Sequence, residues 1–108
     1  MSVYVIADIK VTDSSWVPDY AVTVHEIVHR HGGRYLARSG NIETFEGCAP
    51  EADLIALIEF PSRDAAKAFA ADPLYAPFAA ARRSGSDSRL RLIDDSDLAG
   101  TIGYLPKG

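Results

Sequence analysis

The order in which periodic segments follow one another constrains the fold of this chain more than any single motif does. From Val3 to Val11 every second residue is apolar, and this period of two predicts a strand with one buried face. The apolar spacing then changes to that of an amphipathic helix, which we place at residues 15–31. Candidate capping residues precede this helix, and the pair Gly32–Gly33 ends it. The chain therefore begins with a strand and a helix.

The rest of the chain supplies further strands and helices by the same kind of pattern. In chain order they are two short extended segments at residues 33–40 and 41–47, a buried strand at 54–60, a helix that Ser62 caps and that runs to Asp72, a third short helix to about Arg83, and a last strand at 88–94. We expect one domain over residues 1–95 and a C-terminal tail over 96–108, where glycines and a proline replace the periodic pattern.

The resulting order, β-α-β-β-α-β, is that of the ferredoxin-like α+β fold, an antiparallel sheet with its helices on one face. The other face of such a sheet is bare. Tyr4 and Ile6 of the first strand would join half of the strand at 54–60 in an exposed apolar surface there. A second copy of the chain is the simplest cover, so we expect a homodimer.

Charge and composition exclude several classes of partner. The chain has 11 Lys and Arg against 15 Asp and Glu, a formal net charge of −4, and its arginines are scattered, so we expect no nucleic acid partner. It has no run of about 18 apolar residues, so we expect no membrane span. The single cysteine, Cys48, which we expect to be a bystander, fits a reducing compartment, and the N-terminus lacks a signal-peptide pattern. These features predict a cytoplasmic protein.

Residues 25–31 read HEIVHRH and contain the H-E-x-x-H pattern of zinc hydrolases. In that pattern His25 and His29 would bind zinc, and Glu26 would act as a general base. Helical spacing, however, directs both histidines away from the apolar face, and Tyr35 stands where a third histidine would follow. We therefore expect no metal and keep a zinc hydrolase, with His25 and His29 as its ligands, as a remote alternative.

The segment GGRYLARSG offers a different kind of site. Strict alternation would place Arg34 and Arg38 on one face of a strand and Tyr35 on the other. Two guanidinium groups so placed suit a carboxylate, which arginine binds bidentately. The alternative is an edge strand whose charges block unwanted pairing or bind a partner subunit.

Two strand carboxylates, Asp8 and Glu59, are candidates for a general base. Their positions put them at opposite ends of neighbouring antiparallel strands, too far apart for a glycosidase-like pair. Desolvation among apolar strand residues would raise the pKa of either carboxylate unless an arginine offset it. The alternative role is an ion pair across the dimer interface with Arg38 or Arg91.

Several of these segments together resemble a known family. YVIADIKVTD, Tyr20, GGRYLARSG, IEFPSRDAAKAF and DPLYAPF are similar, in order and spacing, to the domain-of-unknown-function 1330 family, over about residues 3–94. The resemblance implies a dimeric α+β barrel in which two ferredoxin-like sheets pack face to face. It implies no settled activity, because the wider superfamily includes cofactor-free monooxygenases, haem-binding enzymes, isomerases, dehalogenases and simple ligand binders. The family carries no H-E-x-x-H pattern.

We therefore expect a protein that binds a small carboxylated molecule between helices and sheet, without a cofactor. The residues expected at this site are Tyr20, Arg34, Tyr35 and Arg38. The main alternative is a cofactor-independent monooxygenase or isomerase that uses Asp8 or Glu59 as its base, and a third is an interaction module without a ligand. An enclosed apolar cavity reaching a buried carboxylate would favour the enzyme, and a filled interior would favour the module.

Overall fold

The computed structural model describes residues 2–47 and 51–108, and a four-stranded antiparallel sheet is its main element. The strands are β1 (Val3–Val11), β2 (Arg34–Ser39), β3 (Leu54–Phe60) and β4 (Ser86–Asp94), and they lie side by side in the order β2-β3-β1-β4. The helices are α1 (Val17–Arg30), α2 (Arg63–Ala70) and α3 (Ala76–Ser84). This topology confirms the ferredoxin-like α+β fold. None of the helices in the described residues has the length and apolar character needed to cross a membrane.

Of the predicted helix caps, that of α2 is present, whereas α1 begins at Val17 without a side-chain cap and α3 begins later than predicted. Ser62 Oγ accepts a hydrogen bond from Ala65 N at 3.0 Å and starts α2. The third helix begins at Ala76 and not at Pro73, because Asp72 first closes a turn: its carboxylate accepts from Leu74 N at 2.9 Å and its carbonyl from Tyr75 N at 2.9 Å. Asp72 thus caps a turn that leads into the helix.

The extended segment predicted at residues 41–47 does not pair with the sheet. The chain leaves β2 after Ser39, and residues 40–47 are exposed and outside any strand. The chain turns locally at this point, because Asn41 N donates to Ser39 Oγ at 3.0 Å and Ile42 N to the Gly40 carbonyl at 3.1 Å, so these amides do not pair with the free edge of β2. Cys48, predicted to be a bystander, lies outside the described residues.

The core lies between the helices and one face of the sheet. Val3 of β1, Val24 and Val28 of α1 and Phe60 of β3 are essentially inaccessible to solvent. The buried residues of α1 recur at helical spacing, as the sequence predicts for a helix with one apolar face.

The opposite face of the sheet is not covered by any described element. Its apolar residues are Tyr4, Ile6, Ile55, Leu57 and Ile93. Ile6 is 37% exposed and Ile93 52% exposed, although both lie within strands. We call this surface the open face; the chain leaves it bare, as the strand pattern predicted.

An ion pair ties the end of α1 to the turn before α3, and it gives a prediction for pH. His31 Nε2 donates to Asp72 Oδ2 at 2.8 Å, and this bond, followed by that from Leu74 N, lowers the pKa of Asp72. A lowered folded-state pKa stabilises the fold above the unfolded pKa of about 4 and ceases to do so as pH falls through the folded value. The urea midpoint should therefore fall on acidification below about pH 4. Asp72→Asn should flatten this decline, whereas Glu26→Gln, at an exposed site on α1, should not.

Candidate functional site

A β-bulge in β2 separates the two arginines that the sequence placed together. Tyr35 pairs with Ile58 and Ala37 pairs with Leu57, so Leu36 is an extra residue without a partner. The alternation reverses at this point, and Arg34 and Arg38 lie on opposite faces of the sheet. The prediction of a shared face was wrong, because counting by twos assumes an unbroken ladder.

The bulge sends Arg38 to the helix-covered face and Arg34 to the open face. Arg38 lies over the ring of Tyr35, with 4.1 Å between the guanidinium carbon and the ring centroid. Arg34 Nε instead donates to Glu59 Oε1 at 2.9 Å on the open face. Of the four predicted ligand-binding residues, the structure thus brings Tyr20, Tyr35 and Arg38 together and leaves Arg34 out.

These three residues line a cavity of about 100 Å³ between the sheet, α1 and α3. Its floor is one row across all four strands, because Arg38 pairs with Ala56, Ala56 with Ala7, and Ala7 with Leu90. The next row carries larger side chains, including Ile58. The cavity therefore exists because the two central strands have alanine in this row, whereas larger side chains in the next row fill the space under the helices.

Aromatic rings form the wall of the cavity opposite this floor. Trp16 packs edge-on against Tyr20, with 5.1 Å between ring centroids. The ring centroids of Tyr20 and Tyr75 are 6.3 Å apart, and those of Tyr75 and Phe69 are 4.4 Å apart. Trp16 Nε1 donates to the carbonyl of Gly85 at 3.0 Å, which fixes the first ring of the series. Flat, apolar walls of this kind suit a planar or aliphatic ligand better than a strongly hydrated one.

The polar groups of the cavity are tyrosines and arginines. The hydroxyls of Tyr20 and Tyr75 are 3.1 Å apart. Burial, and then the neighbouring Tyr75, raises the pKa of Tyr20 well above its ordinary value. Burial likewise raises the pKa of Tyr35, against the opposing effect of Arg38. Both phenols are neutral hydrogen-bonding groups at physiological pH.

Arg82 and Tyr75 are site residues that the sequence did not suggest. Arg82 is only 5% exposed, and its Nη1 donates to Ser88 Oγ at 2.6 Å. Burial alone would lower the pKa of Arg82, but Tyr75 and Tyr20 beside it reverse the direction and raise it. The usable signal was helical spacing: Arg82 follows Tyr75 and Ala79 on the buried side of α3.

A second, wider groove of about 450 Å³ lies between α2, α3 and β4. It shares Phe69, Tyr75, Arg82 and Leu90 with the first cavity, so these side chains separate the two spaces. Among the described residues, those lining the groove include Lys67, Arg82 and Arg83, together with Arg91 of the edge strand β4, whose register places it on the open face, and none of them is acidic. The groove is therefore a basic approach to the inner end of the cavity.

The candidate bases Asp8 and Glu59 lie on the open face, across the sheet from the cavity. Asp8 Oδ2 is 3.6 Å from Arg89 Nη1, and Glu59 pairs with Arg34. The predicted ion pairs with Arg38 or Arg91 across a dimer interface stay a prediction. Neither carboxylate faces the cavity.

His25 and His29 lie on the side of α1 away from the cavity, as their helical spacing predicted. Their ring centroids are 5.7 Å apart, and His25 Nδ1 lies 3.2 Å from the carbonyl of Ala21. Within residues 2–47 and 51–108, no three histidine, cysteine, aspartate or glutamate side chains form a cluster suited to a metal ion.

Known proteins similar to this chain support the fold. A family model described as a domain of unknown function, DUF1330, matches residues 2–96. The RPA0582 protein of unknown function from Rhodopseudomonas palustris has a similar structure, with a TM-score of 0.72 and 18% identity over 89% of this chain and 83% of that one. No curated protein matches the sequence.

Two enzymes of known structure also share the fold. SnoaB, a cofactor-independent oxygenase from Streptomyces nogalater, is similar with a TM-score of 0.64 and 16% identity, over 89% of this chain and 94% of that one. An antibiotic biosynthesis monooxygenase is similar with a TM-score of 0.58 and 15% identity, over 90% of this chain and all of the other.

Proposed function

Because the chain belongs to the DUF1330 family, whose function is unknown, we propose from its geometry that it binds a small carboxylated molecule in the cavity between the sheet, α1 and α3. The observation that carries this proposal is the position of Arg38. The bulge turns its guanidinium to the cavity, beside the neutral phenols of Tyr35 and Tyr20. An apolar cavity with a few convergent polar groups and one cation at its edge is typical of a site for an apolar acid.

We also propose that the protein is a cytoplasmic homodimer that forms through the open face. The support for the dimer is the row of exposed strand residues, Ile6, Ile55 and Ile93, which would be buried between two sheets packed face to face. The ion pairs Arg34–Glu59 and Arg89–Asp8 lie on the same face, where they would balance charge within the interface. The single cysteine supports a reducing compartment.

A second candidate function is cofactor-independent oxygenation in the same cavity. The observation in its favour is the shared fold with SnoaB, together with a cavity enclosed by aromatic rings. It counts against this function that Asp8 and Glu59 face the other side of the sheet. A reaction in the cavity would have to use the pair of Tyr20 and Tyr75 hydroxyls as its proton-transfer groups.

Removal of Arg38 tests the binding site, and Arg34 provides a matched control. With benzoate as the probe, Arg38→Ala should weaken binding by about ten- to a hundredfold, because it removes a charge-assisted hydrogen bond to the carboxylate. Binding of neutral benzamide should change little. Arg34→Ala removes the same charge from the same strand, but on the open face and four residues away, so it should leave benzoate affinity unchanged. Calorimetry or ligand-observed NMR would measure these affinities.

Filling the cavity provides an independent check on its location. Ala56→Leu should abolish benzoate binding while the circular dichroism spectrum stays unchanged, because the larger side chain occupies the cavity floor. If Arg34→Ala weakens benzoate as much as Arg38→Ala does, or if Ala56→Leu binds it normally, the ligand does not occupy this cavity.

A further inference from the structure

The charge of Arg82 has no counterion in the part of the chain that the structure describes. Its side chain is buried, and no carboxylate lies within 4 Å of it among residues 2–47 and 51–108. One of its five N–H donors bonds to Ser88 Oγ, the hydroxyls of Tyr75 and Tyr20 also interact with the guanidinium, and Nε has no hydrogen-bond partner. A buried, unpaired guanidinium destabilises a fold, so its retention needs a reason.

The groups that surround Arg82 do not supply negative charge. Tyr20 is a neutral phenol, and the groove on the other side is lined by further cations, among them Lys67 and Arg83. The guanidinium therefore lies where an anion would be stabilised from several directions. Arg82 lines both the cavity and the basic groove.

The two arginines of the cavity lie at its opposite ends. Arg38 starts the floor row on β2, and Leu90 ends it on β4, three strand spacings away, which is about 14 Å between backbones. Arg82 bonds to Ser88, which is two residues from Leu90 on the same strand face. A cation thus marks each end of a short apolar channel whose floor is Ala56 and Ala7.

We propose that the ligand of this cavity carries an acidic group at both ends, one held by Arg38 and the other by Arg82, with an apolar body over the two alanines. This inference rests on the proposed function and names its ligand class, a compact dicarboxylic acid. The buried Arg82 would be neutralised by the ligand, which explains why a charge without a protein partner is retained there.

The test compares diacids with monoacids of the same length. The probes are terephthalate against benzoate, and the aliphatic diacids from succinate to suberate, each against its monoacid. The wild-type protein should bind at least one diacid about ten- to a hundredfold more tightly than its monoacid. Arg82→Met should remove this preference, so that diacid and monoacid bind within a factor of about two of each other. Arg30→Met, at an exposed arginine of α1 that lines neither the cavity nor the groove, should keep the preference.

The stability of the ligand-free variants gives a readout that separates binding from a structural role. If Arg82 serves the ligand, Arg82→Met without ligand should melt at or above the wild-type temperature, because an unpaired buried charge is removed. A lower melting temperature than that of Arg30→Met, together with equal affinity for diacids and monoacids, would overturn the inference. The wild-type comparison of diacid with monoacid decides the matter even if Arg82→Met does not fold.

The outcomes also separate this inference from the proposed function. If the monoacids bind through Arg38 but no diacid binds more tightly, the result supports the carboxylate site at Arg38 and contradicts the proposed role of Arg82. If no carboxylate of either kind binds, the proposed function itself is wrong.

Discussion

The wild-type chain should sediment at micromolar concentration as a dimer of about 23 kDa, twice the 11.7 kDa of one chain, and Ile6→Lys should sediment as the monomer. Ile6 lies in the middle of the open face, where its strand neighbours are Leu57 and Arg91. An unpaired ammonium group buried there would lose its hydration and meet a like charge, at a cost of several kcal/mol. That cost corresponds to a rise of more than about a hundredfold in the dimer dissociation constant.

A surface substitution of the same kind serves as the control. Val22 is 67% exposed on α1, and the helix separates it from the open face, so Val22→Lys should remain a dimer. The two variants add the same charge to different faces. A wild-type protein that is monomeric at tens of micromolar, or a dimer that survives Ile6→Lys, would contradict packing of the two sheets face to face.

The sequence predicts well the elements that keep the same periodic pattern of buried and exposed residues along their whole length. β1 alternates over its nine residues, and the apolar side of α1 faces the core at Val24, Ile27 and Val28, as the 3.6-residue period requires. Ser62 caps α2 with its side chain, a local bond that depends on no tertiary contact. In these cases the same periodicity that identifies the element also decides which face is buried.

The errors arise where one residue changes the environment of those that follow. Leu36 interrupts the pairing of β2 with β3, and β2 contains no glycine or proline that would indicate a bulge in the sequence. Everything after Leu36 moves to the other face, so Arg38 reaches the cavity and Arg34 does not. Strict alternation therefore predicted a pair of arginines where the fold makes an arginine and an aromatic ring.

Arg82 was missed for a different reason. An arginine on a helix rich in alanine is usually a solvated residue, so its type outweighed its helical spacing from Tyr75 and Ala79, although the side chain is buried and bonds to Ser88. The cavity also depends on the alignment of Ala7 with Ala56, two residues that are unremarkable in sequence and become neighbours through strand pairing. These features depend on tertiary contacts and strand pairing, which local sequence patterns do not contain, so the sequence did not predict them.

The Trp16 ring, at one end of the aromatic wall, packs directly against Gly85, in the space that a side chain at position 85 would occupy. A substitution of Gly85 should therefore disturb this end of the wall. A Cβ on Gly85 would lie 2.2 Å from Trp16 Cδ1 and 2.8 Å from the Asp13 carbonyl oxygen. The Gly85 carbonyl accepts from Trp16 Nε1 and from the backbone amides of Thr12 and Asp13, at 3.0, 2.9 and 3.0 Å, so the backbone has little freedom to move away. Overpacking at such a site costs about 1–3 kcal/mol, and a contact this close favours the upper end.

Gly85→Ala should therefore lower the free energy of unfolding by about 2–3 kcal/mol and displace the only tryptophan of the chain. The displaced indole should become more hydrated, so its fluorescence maximum should move to longer wavelength, and benzoate affinity should fall because the cavity loses part of its wall. Gly103→Ala is the matched control, since no atom lies within 4 Å of its added methyl group, and it should leave stability, fluorescence and affinity unchanged. A Gly85→Ala protein with wild-type stability and an unshifted emission spectrum would show that Trp16 does not pack against this glycine, and that the aromatic wall is held by other contacts.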